Sequence, residues 1–292
     1  MASSVASDRG LGPALTRLCE ALAKCDRIFV LTGAGVSTHS GIVDYRDDHG
    51  AWKHRQPMRL QEFTRSQLAR QRYWARSLLG FPRIDAARPN AVHQACAGLE
   101  QLGRLNQLVT QNVDGLHQKA GSQQVIDLHG RLDTVECLGC KTEFARSGFQ
   151  HQLAELNPSF TRLSARTAPD GDADLPDVNY ERFLVPPCER CGGLLKPSVV
   201  FFGESVPASR VHAALGALQS SQAVLVLGSS LMVFSGFRFA RAAARFGLPL
   251  FIINRGKTRA DELALLKVQG DLLTVVPELV AALGCPFSGI DS

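Results

Sequence analysis

The sequence predicts a doubly wound α/β fold, in which a mostly parallel, Rossmann-like sheet carries a smaller lobe. Short runs rich in Val, Ile, Leu and Phe have the length of buried strands, and helical patterns lie between several of them. Because these runs are apolar on both faces, helices are expected to cover both sides of the sheet. Two long segments interrupt the alternation, which indicates that the smaller lobe is inserted into the sheet domain.

The predicted strands are short runs of β-branched and other apolar residues. They span residues 27–32, 105–110, 198–202, 223–228 and 248–254, and residues 124–130 add a further short strand. Apolar residues recur at helical spacing in the segments GPALTRLCEALAKC, NAVHQACAGLEQLG, SRVHAALGALQS and GFRFARAAARFG, which are predicted to be helices.

The two interrupting segments are predicted to build the smaller lobe. Residues 49–88 form a helical insertion rich in arginine and aromatic residues, and residues 131–195 form a module that holds two closely spaced cysteine pairs and a polar loop near residues 167–177. The remaining parts, residues 1–48, 89–130 and 196–292, make up the Rossmann-like domain that carries the main sheet.

The composition is that of a globular protein without a membrane segment or a nucleic-acid surface. The chain has 292 residues, of which 45% are hydrophobic, enough for a full core. Its longest apolar runs have the length of a strand, well below a bilayer span. The net charge of +5 comes from scattered Lys and Arg, which suits an anionic ligand better than nucleic acid. The N-terminal residues lack a secretory pattern, so we expect a cytoplasmic protein, and a monomer.

Four cysteines form two closely spaced pairs, Cys137-x-x-Cys140 and Cys188-x-x-Cys191. Each pair places both sulfurs on one turn, and two such turns complete a tetrahedral thiolate shell suited to Zn²⁺. Redox pairs or local disulfides are the alternatives, but a thioredoxin-type pair begins a helix after a strand, and neither pair does so. We therefore predict one structural zinc ion per chain, because a closed shell leaves no position for water.

A glycine turn directly follows the first predicted strand. Gly33 and Gly35 would allow the backbone to approach a pyrophosphate, whose oxygens bind N–H groups at a helix start. The alternative is a strand-to-helix turn without a ligand, because G-A-G alone is a weak signal. An ordinary dehydrogenase would end a second strand in Asp or Glu about 20 residues later. This chain has HGAWKHRQPM there, which is not a strand.

Several motifs then occur together and in order along the chain. They are GAGVSTHSGIVDYR (33–46), TQNVDGLHQKAG (110–121), LHG (128–130), the two cysteine pairs, KPSVVFFGE (196–204), GSSLMVFS (228–235) and INRGKTRAD (253–261). With them the chain resembles the sirtuins, the NAD-dependent protein-lysine deacylases. The resemblance implies NAD as co-substrate, acylated proteins or peptides as partners, and nicotinamide, free lysine and O-acyl-ADP-ribose as products.

The resemblance also implies catalytic roles for polar residues at strand ends. His129 would be the base that activates a ribose hydroxyl, because its ordinary pKa lies near physiological pH. Gln111 would lie at the ribose beside His129, and Asn112 and Asp114 would lie in the nicotinamide pocket. Asn and Asp after a strand equally cap the next helix, which is the alternative for these two.

Further NAD contacts are implied along the rest of the chain. The segment after the glycines would be a lid over the nicotinamide half, with Val43 where many family members have proline. The predicted NAD-binding residues are Gly33, Ala34, Gly35, Ser37, Asp44, Tyr45, Arg46, Gln111, Asn112, Asp114, His129, Gly228, Ser229, Ser230, Asn254, Gly256, Gly270 and Asp271.

The acyl-lysine side is predicted from two segments. In VVFFGE, backbone groups of Val200 and Gly203 would hold an extended peptide by strand addition. Val200 and Phe201 would line the tunnel for the lysine side chain, and Glu204 is a further predicted substrate-binding residue. A buried strand with core aromatic residues is the alternative. Tyr73 and Arg76 lie three residues apart, on one helix face, and resemble a pair that binds succinyl or glutaryl carboxylates. The alternative for Arg76 is a solvated arginine.

The context of Arg76 and the segment APDGD (168–172) resemble the class II sirtuin branch that includes human sirtuin-4 and bacterial relatives. That resemblance leaves protein mono-ADP-ribosyl transfer open beside deacylation, because both would use the same NAD site. A zinc-stabilised NAD sensor without turnover is the third possibility. The presence of His129, Asn112 and Asp114 argues against it, because a mere binder needs no base at the ribose.

Overall fold

The computed structural model describes residues 12–53, 57–169, 171–175 and 178–284. Its strands are β1 (Ile28–Thr32), β2 (Leu105–Thr110), β3 (Val125–Asp127), β4 (Gly130–Cys137), β5 (Glu143–Ala145), β6 (Arg166–Thr167), β7 (Ala173–Asp174), β8 (Leu195–Val199), β9 (Ala223–Leu227), β10 (Leu250–Ile253) and β11 (Leu266–Val268). Its α-helices are α1 (Pro13–Leu22), α2 (Leu60–Arg65), α3 (Gln67–Ala86), α4 (Ala91–Gln101), α5 (Leu116–Lys119), α6 (Arg146–Leu156), α7 (Ala208–Gln219), α8 (Phe234–Arg245) and α9 (Leu272–Ala282).

The main sheet has the strand order β11-β10-β9-β1-β2-β3, and all its neighbouring strands are parallel. All residues of β1 are buried, as expected for a strand covered on both faces. At its carboxyl end Thr32 lies opposite Thr110 of β2 and Leu227 of β9. The strand ends therefore meet at one edge, where ligands of doubly wound folds bind. The predicted fold class is confirmed.

Helices cover both faces of the main sheet and form separate apolar cores. Alternate residues of β1 point to opposite faces. Val30 packs in a core with α1, α4 and α9, whereas Phe29 packs in a core with Leu218 of α7 and Phe239 of α8. Full burial of each such side chain contributes about 1.5–3 kcal/mol. Among the described residues, no helix has both the length and the apolar composition needed to cross a bilayer.

One predicted strand lies in a different sheet. Residues 198–202 are predicted as a strand of the main sheet, but the structure places β8 at Leu195–Val199 and pairs it antiparallel with β4, so this prediction is wrong. A buried apolar run looks the same in either sheet. The edge strand β11 is absent from the prediction, because its three residues carry too little pattern. The other predicted strands are confirmed, with ends shifted by no more than a few residues.

The small lobe unites the helical insertion and the cysteine module around one aromatic core. Its three-stranded sheet has the order β5-β4-β8. Trp74 of α3 is fully buried, lies 4.7 Å from Phe149 of α6 between ring centroids, and donates its indole N–H to the carbonyl of Leu195 (3.2 Å). Side chains from both inserted segments thus share a single core.

The polar loop predicted near residues 167–177 contains a short hairpin, β6 and β7. Its turn sits on α3, because a Cβ on Gly80 would collide with the backbone of Gly171. Asp170, Pro176 and Asp177 lie outside the described residues.

The four paired cysteines come together in the small lobe. Their sulfur atoms all lie within 4.8 Å of one another, with Cys137–Cys191 at 3.4 Å and Cys140–Cys188 at 3.7 Å. A tetrahedron with Zn–S bonds of about 2.3 Å separates its sulfurs by about 3.8 Å. A Cβ on Gly193 would lie 2.8 Å from the Cys137 sulfur, so glycine leaves room for the cluster. The arrangement fits a closed, structural zinc site.

Gly130 connects the main sheet to the small lobe and yields a stability prediction. Its φ is +82°, and a Cβ there would collide with the carbonyl oxygen of Ser198 on β8. Gly130→Ala therefore combines left-handed strain with a backbone clash. We expect a loss of about 2–4 kcal/mol, seen as a Tm several degrees lower by calorimetry.

Gly216→Ala is the matched control for Gly130→Ala. Gly216 lies inside α7, and no atom lies within 4 Å of a Cβ added there. Because alanine is the better helix former by about 1 kcal/mol, this variant should keep or raise the Tm. Equal Tm values for the two variants would contradict the role given to Gly130.

Zinc content provides a second prediction. We expect about one zinc ion per chain by elemental analysis, and Cys137→Ser should weaken zinc binding at least about 100-fold and lower the Tm, because the metal holds the lobe together. Cys19→Ala changes a buried cysteine on α1, outside the cluster, and should retain the metal. A purified wild-type protein that is folded and free of zinc would refute the assignment.

Candidate functional site

A cavity of about 2220 Å³ lies between the two lobes, at the carboxyl ends of the parallel strands. It brings together most of the predicted site residues. On the sheet side these are Gly33, Ala34, Gly35, Asp44, Tyr45, Arg46, Gln111, Asn112, His129, Gly228, Ser229, Ser230, Asn254, Gly256, Gly270 and Asp271, and on the small-lobe side Tyr73, Arg76, Val200, Phe201, Gly203 and Glu204. Of the predicted residues, Ser37 and Asp114 do not line it.

The glycine turn after β1 packs against the loop after β9. Gly33 donates its N–H to the carbonyl of Leu227 (3.1 Å), and Gly35 donates to that of Gly228 (2.9 Å). A Cβ on Gly33 would lie 2.7 Å from Cβ of Ser229, and one on Gly35 would lie 2.8 Å from the Gly228 oxygen. The close approach of two loops therefore requires both glycines, in addition to any approach of a phosphate.

His129 follows β3 and is held through both ring nitrogens. Nδ1 lies 2.8 Å from the carbonyl oxygen of Gln111, and because a carbonyl only accepts, Nδ1 carries the hydrogen. Nε2 therefore has the lone pair and accepts from the hydroxyl of Ser235 at 2.8 Å. Burial lowers the pKa of His129 to about 4; the Gln111 contact opposes this shift, and Arg210 and Arg238 add to it. The ring is thus neutral at physiological pH, as a base must be.

The side chain of Gln111 ties three strand ends together. Its Nε2 donates to Oγ of Ser229 (2.8 Å), after β9, and to the carbonyl of Thr32 (3.2 Å), at the end of β1. A Cβ on Gly236 would displace the Gln111 amide, so glycine there lets α8 contact Gln111 in its hydrogen-bonded position. The backbone that holds His129 is therefore fixed from several sides.

Asn112 is positioned by the two predicted residues that lie behind the cavity wall. Its Nδ2 donates to the carbonyl of Gly33 (3.1 Å) and to Oγ of Ser37 (3.0 Å), and the Ser37 hydroxyl donates to Asp114 (2.7 Å). Asp114 also accepts from the N–H of Leu116 (2.9 Å) at the start of α5. Asp114 thus accepts one hydrogen bond from the first turn of α5, whose N-cap is Gly115, and another from Ser37, which supports the pocket.

Two buried histidines stand behind this network and were missed by the sequence reasoning. His93 Nδ1 accepts from the N–H of Asn90 (3.3 Å), so its Nε2–H faces Oγ of Ser37 at 3.4 Å. Nε2 of His117 lies 2.9 Å from the hydroxyl of Thr32. Burial lowers the pKa of His93 to about 4 and that of His117 well below its ordinary value, so both rings are neutral supports.

The segment after the glycine turn forms a short hairpin across one end of the cavity. The Lys53 N–H donates to the carbonyl of Tyr45 (2.9 Å), and the Lys53 ammonium pairs with Asp44 (2.8 Å). The guanidinium of Arg46 stacks on Trp52, 3.9 Å from the ring centroid. Asp44 and Arg46, predicted to contact NAD, are therefore engaged within the hairpin in this structure.

Both sides of the cavity contact this hairpin. Trp52 packs edge-on against Phe202 of the small-lobe side, with ring centroids 5.8 Å apart. On the sheet side the Lys257 N–H donates to the carbonyl of Asp48 (2.8 Å), and a Cβ on Gly256 would collide with the backbone of Asp48. Gly256 thus seats the hairpin beside the cavity.

Side chains from separate loops meet at the edge of the cavity beside α9. Asp271 caps α9 by accepting from the N–H of Leu273 (3.3 Å), and it lies 3.8 Å from His39 Nε2 and 3.6 Å from the Arg255 guanidinium. His39, which lies in the segment after the glycine turn, therefore faces a carboxylate across the cavity edge.

The predicted peptide-binding loop is braced from within. Val200 donates its N–H to the carbonyl of His129 (2.7 Å), so a peptide would have to use the Val200 carbonyl. The carboxylate of Glu204 accepts from the N–H of Phe201 (2.8 Å) and from the buried ammonium of Lys196 (3.2 Å). Glu204 thereby holds the shape of the loop, and direct contact with a substrate stays a prediction.

Tyr73 and Arg76 line the cavity, but Arg76 already has internal partners. The Tyr73 ring lies 5.2 Å from that of Phe201, which joins two predicted substrate residues. The Arg76 guanidinium pairs with Asp172 (2.7 Å) and donates through Nε to the carbonyl of Ala173 (2.7 Å). Its side chain is 17% exposed, so it is not the solvated arginine of the alternative reading.

The sequence reasoning also missed Ser235, Trp52 and Asp172, which contact predicted residues. Ser235 ends the quoted motif GSSLMVFS, yet serine in that position gives no sign of its contact with His129. Trp52 and Asp172 lie in irregular segments whose path is set by tertiary packing, so no local pattern points to them.

The sheet side of the cavity fits a dinucleotide such as NAD. The two packed glycine loops expose backbone to the cavity, and Ser230 and Asn254 line it after the strands β9 and β10. Close backbone approach suits a pyrophosphate, and hydroxyl and amide groups suit ribose oxygens. The neutral ring of His129 lines the same cavity, next to Gln111 and directly before β4 of the small lobe.

Comparison with known proteins agrees with this geometry. The Sir2 family model matches residues 33–235. An NAD-dependent protein deacetylase of Xanthomonas axonopodis pv. citri is 61% identical over 83% of this chain and 83% of its own length. A protein of the same description from Bordetella bronchiseptica is 55% identical over 88% of this chain and 93% of its own.

Solved structures of Sir2 proteins share the fold. A Sir2 complex with a p53 peptide and NAD+ has a TM-score of 0.73 and 27% identity, covering 91% of this chain and 97% of the other. A Sir2Tm structure with a propionylated peptide has a TM-score of 0.74 and 28% identity, covering 93% and 99%. On the family match and the extent of these identities, the chain belongs to the Sir2 family.

Proposed function

We propose that this protein removes acyl groups from lysine side chains of proteins in an NAD-dependent reaction. The observation that carries the proposal is the neutral imidazole of His129, fixed by Gln111 at the edge of a cavity that fits a dinucleotide. The relatives named NAD-dependent protein deacetylase, at up to 61% identity, support the same activity.

In this reaction NAD supplies the ADP-ribosyl group that accepts the acyl chain, with release of nicotinamide. The protein's part is to bind and orient both substrates and to move a proton. His129 Nε2 takes a proton from a ribose hydroxyl, and the Gln111 carbonyl stabilises the imidazolium that forms, because Nδ1–H donates to it. Asn112, held by Ser37, which Asp114 orients, would bind the nicotinamide group, and the loop at residues 199–204 would bind the acyl-lysine peptide.

Protein mono-ADP-ribosyl transfer, the alternative, gains no support of its own. It would use the same NAD site, and both curated relatives described above are named deacetylases. We further propose a monomeric cytoplasmic enzyme of the class II branch. The branch assignment rests on the sequence around Arg76 and on the segment APDGD (168–172), which resemble that branch.

Acyl selectivity follows from the Arg76 ion pair. We propose that an acidic acyl group competes with Asp172 for the Arg76 guanidinium at the end of the lysine tunnel. Both residues line the cavity and the Asp172 side chain is 36% exposed, so a substrate carboxylate could reach the guanidinium from the cavity.

The base assignment gives the first prediction for this site. His129→Ala should lower the rate of deacetylation by about 10²–10⁴-fold, because general-base catalysis is lost, while NAD still binds. Product formation is measured by mass spectrometry and NAD binding by calorimetry. His151→Ala, an exposed histidine on α6, is the control and should behave as wild type. Full activity of His129→Ala would exclude this base.

The acyl pocket gives the next prediction. Arg76→Ala should reduce kcat/KM for succinyl-lysine or glutaryl-lysine peptides about 10–100-fold more than for acetyl-lysine, because a charge-assisted contact is lost. Asp172→Asn should shift preference the opposite way, since it frees the guanidinium. Arg245→Ala changes an exposed arginine at the end of α8 and controls for net charge. Equal losses for acidic and neutral acyl groups in Arg76→Ala would remove the argument for acid recognition.

A further inference from the structure

Among the described residues, Ser235 is the one hydrogen-bonding partner of His129 Nε2, and the proposed reaction does not use this serine. It is the second residue of α8, and its hydroxyl lies 2.8 Å from Nε2. Both Ser235 and His129 line the cavity. The serine therefore touches the nitrogen that must take up a proton, on the side from which a substrate arrives.

The direction of this hydrogen bond follows from the other ring nitrogen. The Gln111 carbonyl fixes the hydrogen on Nδ1, so Nε2 of the neutral ring can only accept, and the Ser235 hydroxyl must donate. A donor to Nε2 stabilises the neutral ring and disfavours the imidazolium. Removal of the donor should therefore raise the pKa of His129.

The position of Ser235 is imposed by packing. A Cβ on Gly236 would collide with the Gln111 amide, so the first turn of α8 rests directly on the residue that also holds Nδ1. Gly236 donates its N–H to the carbonyl of Val233 (3.2 Å), which closes this turn. The same corner of the structure thus fixes both hydrogen-bonding partners of the imidazole.

We propose that Ser235 is a positioning residue for the reaction, which holds the His129 ring with Nε2 aimed into the cavity, while the Gln111 carbonyl sets the Nδ1–H tautomer. In the free protein the Ser235 hydroxyl donates a hydrogen bond to Nε2 and thereby opposes rotation of the ring. A ribose hydroxyl then replaces this partner at a nitrogen that already points the right way. The inference rests on the proposed function only for the identity of the incoming hydroxyl.

The charges that act on His129 come from two helices. Arg210 on α7 and Arg238 on α8 both disfavour the imidazolium, and burial does so more strongly. Substitution of Ser235 leaves all three in place. A change in titration can therefore be assigned to the lost hydroxyl.

The test is an NMR titration of His129 in the ligand-free protein, with the signal assigned by its loss in His129→Ala. Loss of one hydrogen bond is worth about 0.5–1.5 kcal/mol, so Ser235→Ala should raise the pKa of His129 by about 0.5–1 unit. Ser235→Thr retains the hydroxyl and should restore the wild-type value. Ser209→Ala, an exposed serine on α7, should leave it unchanged.

Kinetics provide the second readout. Activity requires the neutral ring, so the acid limb of kcat/KM should move to higher pH in Ser235→Ala by the same amount, with kcat reduced about two- to tenfold. A titration and an acid limb identical to wild type would overturn the role of Ser235. The titration needs no turnover, so the deacylase proposal and the Ser235 inference can fail separately.

Discussion

The arrangement of the whole site depends on one hydrogen bond, from His129 Nδ1 to the backbone carbonyl of Gln111. The carbonyl belongs to the residue directly after β2, and the ring belongs to the loop after β3, so neighbouring parallel strands set their separation. A backbone acceptor cannot rotate away as a side chain can. The contact fixes the tautomer of the ring, leaves Nε2 as the base, and offers a partner to the proton on Nδ1 when the ring is charged.

The second constraint is the close approach of loops that only glycine permits. The turn after β1 rests on the loop after β9, and Gly236 allows α8 to reach Gln111. These contacts involve the same strand ends that carry the polar side chains. These packed loops therefore form the sheet side of the cavity. The loop at residues 199–204 of the small lobe forms the opposite wall. The four-cysteine cluster lies within that lobe, and none of its cysteines lines the cavity.

Much of this organisation is predictable from the sequence, because it depends on local pattern. Apolar runs specify strands, and the Cys-x-x-Cys spacing specifies a metal site. Polar residues that follow parallel strands are expected at the carboxyl-terminal edge of the sheet. The predicted residues His129, Gln111 and Asn112 do lie together there. The strand predicted at residues 198–202 was assigned to the wrong sheet, because burial in either sheet gives the same apolar run; the observed strand is β8, at Leu195–Val199.

The remainder depends on distances between segments far apart in the chain. Nothing local shows that Ser235 touches His129, since 105 residues separate them. The same holds for Arg76 and Asp172, whose pairing exists only because the β6–β7 hairpin sits on α3. Ser37 and Asp114 were assigned to NAD itself, whereas their hydrogen bonds place them one layer behind, in support of Asn112. Motifs identify residues that belong to one site, but tertiary packing decides which of them line the cavity and which lie behind its wall.

The most direct test of the account is a crystal structure of the protein with a non-hydrolysable NAD analogue and an acyl-lysine peptide. The account predicts that Nε2 of His129 lies about 2.6–3.2 Å from a hydroxyl of the nicotinamide ribose. At the same time, Nδ1 should still donate to the Gln111 carbonyl. A ribose bound elsewhere, or a ring turned so that Nε2 lies beyond hydrogen-bond reach of every ribose hydroxyl, would contradict it.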